Sequence, residues 1–64
     1  MSADIIVRNH GSIVLLEPQD RAAEEWLETN VEAEAQWWGP SLVVEPRYVE
    51  DIVEGARADG LEVR

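Results

Sequence analysis

The side chains of this 64-residue sequence that could do chemistry are mostly carboxylates. Fourteen Asp and Glu stand against five Arg, with no Lys, no Cys and one His, for a formal net charge of −9. Nucleophilic catalysis needs an activated Ser, Thr, Cys or Lys beside a base. His10 is the one ordinary base, and between Asn9 and Gly11 it reads as a polar turn residue. One His without Cys leaves zinc short of its preferred ligands, and the acids lack the alternation of a calcium loop. No G-x-G or G-K-[ST] segment cradles a phosphate. The expectation is a protein that is not an enzyme and needs no metal or cofactor.

Binding is what the carboxylates offer instead. Residues 17–34 hold Glu17, Asp20, Glu24, Glu25, Glu28, Glu32 and Glu34 against Arg21 alone, so two-thirds of the net charge falls in this stretch. Glu24 and Glu28 are one helical turn apart, about 6 Å along the axis, a separation similar to that of successive backbone phosphates. Like charges at this spacing destabilise a helix by about 0.2–0.5 kcal/mol per pair, and no Lys compensates them. Asp20, Glu24, Glu25, Glu28, Glu32 and Glu34 thus form a candidate surface for a basic protein that normally holds nucleic acid. Glu50, Asp51 and Glu54 form a second candidate patch. The same acidity argues against direct contact with DNA, RNA or anionic lipid.

Aromatic anchors come next. Trp26 falls on an apolar helical stripe and reads as core. Trp37 and Trp38 are adjacent, so in a strand they point to opposite faces, one inward and one available to a partner. Either is a candidate apolar anchor, while Tyr48 reads as the edge of the core.

The elements that position these residues can be read from local signals. Ile5–Val7 and Ser12–Leu16 are β-branched or aliphatic runs around Arg8-Asn9-His10-Gly11, a hairpin, and Pro18 closes the second strand. Asp20 is a helix N-cap. Ala22, Ala23, Trp26 and Leu27 then follow the i, i+3, i+4 pattern, with Asn30 as a stop. Glu32–Ala35 reads either as a helix extension or as a loop. Gln36–Trp38 and Leu42–Val44 flank Gly39-Pro40-Ser41, a second hairpin. Pro46 opens a second helix with Tyr48, Val49, Ile52, Val53 and Ala56 as its stripe. Arg47 is spaced to pair with Asp51 and Glu54 with Arg57. Gly60 ends that helix, and Leu61–Val63 make a short last strand.

The expected fold is one α+β domain over residues 1–64, in ββαββαβ order, with a mainly antiparallel sheet and two amphipathic helices. Those helices cover either one face of the sheet or both. The run Ile13–Leu16 is apolar on both sides, the pattern of a strand covered twice or buried in a dimer. A chain this short has no room for a deep cavity within its core. Apolar runs are at most four residues long and the N-terminus shows no signal-peptide pattern, so a cytoplasmic protein is expected.

Residues 4–16 and 44–55 resemble small phage- and mobile-element-encoded proteins, some of which are anti-CRISPR proteins against type I systems. The resemblance implies stoichiometric inhibition in the bacterial host, with the type I-C effector complex, Cascade, as target and its DNA-binding surface occupied. It transfers no residue by motif, so the contact residues rest on the charge pattern. The rival expectation is a structural or assembly module of a phage or mobile element, monomeric or weakly homodimeric, in which acidity serves solubility.

Overall fold

The computed structural model describes residues 3–31 and 36–64. Its elements are β1 (Ile5–Asn9), β2 (Val14–Pro18), α1 (Arg21–Asn30), β3 (Gln36–Trp38), β4 (Ser41–Val44) and α2 (Pro46–Ala58). The strands form one antiparallel sheet in the order β1-β2-β4-β3, the expected α+β class.

Local chemistry sets the joints. In the first hairpin the Asn9 Oδ1 accepts from the Gly11 amide at 2.8 Å, and Gly11 takes φ of +85°. His10 N–H donates to the Ile13 carbonyl at 2.9 Å. This turn occupies Ser12 and Ile13, so β2 starts at Val14 and not at the expected Ser12. The second hairpin turns on two residues, Gly39 and Pro40, between the paired Trp38 and Ser41. Gly39 has φ of +58°. Pro40 cannot follow it into positive φ, which leaves type II′ as the fitting primed turn.

Asp20 caps α1, its carboxylate accepting from Ala23 N–H at 2.8 Å. Pro46 opens α2, where a missing amide costs nothing. At the other end Gly60 N–H donates to Arg57 and Leu61 N–H to Ala56, both at 3.0 Å, with Gly60 at φ of +90°. That pattern is a Schellman motif, and it turns the chain back toward the sheet. The last strand is shorter than expected. Val63 makes a single parallel bridge to Ile5, extended by Asp4 N–H to the Glu62 carbonyl at 2.8 Å and Val7 N–H to the Arg64 carbonyl at 2.7 Å. It covers the outer edge of β1.

The two β-β-α halves meet at the central β2–β4 pairing, in which Val14 lies opposite Val44, Leu15 opposite Val43 and Leu16 opposite Leu42. The crossover from β2 through α1 and that from β4 through α2 leave antiparallel strands in opposite directions across the sheet. The shared right-handed preference of such crossovers therefore brings both helices over the same face. There Ile5, Val14, Leu16, Leu42 and Val44 pack with Ala23, Leu27, Ala56 and Val63. The alternative of helices on both faces is overturned.

Candidate partner-binding surface

The core stripe of each helix fixes which acids face outward. Ala23 and Leu27 of α1 are fully buried and Trp26 packs beside them, which leaves Glu25 and Glu28 exposed and Glu24 half-buried. Ala22, expected on the stripe, is exposed. On α2, Val49, Ile52, Val53 and Ala56 face the sheet while Glu50, Asp51 and Glu54 are exposed. Tyr48 departs from expectation. It is 49% exposed, one position before the stripe begins, with the Arg47 guanidinium 4.9 Å from its ring centroid.

Trp26 ties the two acidic helices together. Its ring lies 3.5 Å from where a Cβ on Gly55 would stand, and its indole N–H donates to Asp59 Oδ2 at 2.6 Å. The helix stripe indicated that Trp26 packs inward, but not its Gly55 neighbour, and the hydrogen bond joins residues 33 positions apart and had no signal in the sequence.

Ion pairs divide the carboxylates into two groups. Arg8 meets Glu17 at 2.8 Å, Arg21 meets Glu25 at 3.3 Å, Arg47 meets Glu45 at 3.4 Å and Arg64 meets Glu62 at 2.8 Å. The Arg8 guanidinium is held above its ordinary pKa by the hydrogen bond and charge of Glu17. Neither expected pair on α2 forms. Arg47 turns back to Glu45, and Arg57 donates to the Val63 carbonyl at 3.3 Å, where it anchors the closing segment. Asp20 is occupied as a cap and Asp59 with Trp26. Among the described residues, Glu24 and Glu28 on α1 and Glu50, Asp51 and Glu54 on α2 have no Arg within ion-pair distance. Both helices lie on one side of the sheet, so the two expected acidic patches belong to one layer. Glu32 and Glu34 lie outside the described residues.

The opposite face of the sheet has a different character. A row straight across the four strands reads Arg8, Leu15, Val43, Gln36. Ile6 lies beside it on β1, and Trp38 on β3 is 58% exposed. Trp37 points the other way and packs against the core, so of the two candidate anchors Trp38 is the accessible one.

An open concavity of about 620 Å³, without a counterpart among the local sequence signals, lies between β4, the end of α1 and the start of α2, bordered by Val43, Glu45, Tyr48 and Asp51. It is an open surface hollow whose lining includes the core residue Val44. Among the described residues no cluster of three or more His, Asp or Glu is placed to hold a metal ion. No described helix is long and apolar enough to cross a membrane.

These features define a small α+β domain with an acidic helix layer and an open sheet face with Leu15 and Val43 at its centre. Comparison with protein-family models, curated proteins and solved structures produced no match.

Proposed function

We propose that the protein is an acidic inhibitor that binds the basic, DNA-binding surface of another protein as a nucleic-acid mimic, with a type I CRISPR effector as the target implied by the resemblance. The observation that carries the reading is the concentration of Glu24, Glu28, Glu50, Asp51 and Glu54, none of them paired with Arg, on two helices over one face. Two turns, one per helix, repeat the same i, i+4 carboxylate spacing at Glu24/Glu28 and Glu50/Glu54. Such a surface exchanges counterions with Lys and Arg as a phosphate backbone does. It also steers association with a cationic cleft.

The test is competition between this protein and labelled target DNA on a purified type I-C effector complex, at about 50 mM and about 300 mM salt. Displacement of DNA at low salt that fades at high salt is expected. Reversal of Glu24 and Glu28 to Lys, or of Glu50 and Glu54 to Lys, is expected to weaken displacement at least about tenfold, the effect of losing close interfacial charge pairs. Thermal unfolding checks that each variant is folded. Absence of displacement at both salts removes this target, and unchanged displacement by both variants removes the helix layer as the contact.

A further inference from the structure

We infer that the open face of the sheet is the contact surface for a second copy of this chain, joined back to back about a two-fold axis. In the resulting dimer the two sheets form a sandwich with the helix pairs outside.

The argument begins with β2. Val14 and Leu16 enter the core, while Leu15 between them belongs to the other face with Ile6, Val43 and Trp38. With both helices on the core side, the second apolar side of this strand has no cover among the described elements. Apolar residues in the middle of a sheet face, with a Trp 58% exposed beside them, have the composition of an interface centre.

Charge selects the occupant. The molecule carries −9 in total, yet the charged side chains of the four strands on this face are Arg8 and Glu17, neutralised against each other at 2.8 Å, and at its β1 edge Glu62 and Arg64, flanking the core-facing Val63, pair at 2.8 Å as well. It is therefore the side on which two copies can meet without opposing their acids. The short dimension of one copy is 21 Å, so the outer helix surfaces of a back-to-back pair stand about 40 Å apart, several times the ~8 Å screening length at physiological salt.

Area agrees with this choice. A body of 29 × 21 × 21 Å offers a face of about 450–600 Å² in projection, so two copies cover about 900–1,200 Å², near the ~1,000 Å² that a specific interface needs. Sheets packed this way interdigitate at a spacing of about 10 Å, a gap that half-buried Leu15 and Val43 can fill.

The experiment is sedimentation equilibrium of the full chain from about 10 µM to about 1 mM, at low salt and at about 0.5 M salt. A species of twice the 7.2 kDa chain mass is expected, and it should tighten as salt rises because screening removes the residual repulsion between copies. That sign is opposite to the one expected of the nucleic-acid mimic, so the two readings fail separately. Trp38→Glu is expected to raise the dimer dissociation constant at least about 30-fold. Val43→Thr, nearly isosteric and compatible with a strand, is expected to weaken it with the thermal unfolding of the monomer little changed. Glu54→Lys on the helix layer is expected to leave the dimer in place. A 7.2 kDa species under all conditions overturns the inference and leaves the face to a different partner. A dimer that persists with an unchanged constant in both Trp38→Glu and Val43→Thr overturns it as well.

Discussion

Leu15 and Leu16 are neighbours in the chain and opposites in the fold. Leu16 is fully buried under two helices, whereas Leu15 lies half-buried on a face that no described helix covers. The same contrast extends over the whole molecule. On the helix side, apolar residues are consumed inside the domain and the outer surface carries unpaired carboxylates. On the sheet side, apolar residues remain available and the charges of the described residues are balanced within the Arg8–Glu17 and Arg64–Glu62 pairs. A domain of this size has one core, so it can bury one face of its sheet by itself. The surface over the core is then free to be charged, while the other face keeps whatever pattern its strands carry.

The largest expected effect probes that contrast directly. Leu16→Ala should cost about 2–5 kcal/mol by leaving a cavity among fully buried neighbours, a large share of the stability of a domain this small. Leu15→Ala should cost less than about 1 kcal/mol in the monomer, because much of its apolar surface is exposed before and after folding. Urea unfolding at low protein concentration measures both, and equal costs would break the division into a core face and an open face.

A smaller effect tests the foundation of the helix layer. Asp20→Ala removes the acceptor for the Ala23 amide at the start of α1 and should cost about 1 kcal/mol. Asp20→Asn, which keeps the acceptor, should recover most of that loss. If the cap were instead contributing through charge alone, Asn would be as damaging as Ala.

The smallest effect has the opposite sign. Gly55 sits inside α2, and a Cβ there would meet Trp26 at 3.5 Å, an ordinary contact. Gly55→Ala should therefore stabilise the protein by about 0.5–1 kcal/mol through helix propensity and a less flexible unfolded chain. A destabilised variant would mean that α1 and α2 are packed more tightly at Trp26 than this distance indicates.

Much of the fold was legible because its signals are local. Asp20, Pro46 and Gly60 mark helix ends through backbone hydrogen bonds and φ angles that span a few residues, and all three act where the sequence put them. The adjacent Trp37 and Trp38 diverge because alternation along a strand requires it. Helical spacing permits an Arg47–Asp51 pair but does not decide among rotamers, and Arg47 turns instead to Glu45 just before the helix. Tyr48 is exposed where its spacing suggests the edge of the core, because the inward stripe of α2 starts one residue later, at Val49. For the candidate surface, the sequence supplied both groups of acids but not their juxtaposition.

Residue chemistry within a turn or two of chain is enough to set the helices and main strands, the caps and turns, the excess of carboxylate and the two-sided apolar character of β2. Tertiary structure alone decided that β2 pairs with β4 across an intervening helix, that both helices share one face and that Trp26 reaches Asp59. Those outcomes follow from the handedness of the crossovers and from contacts between residues far apart in the chain. No local signal carries that information, and it is what separates an acidic side of this protein from an apolar one.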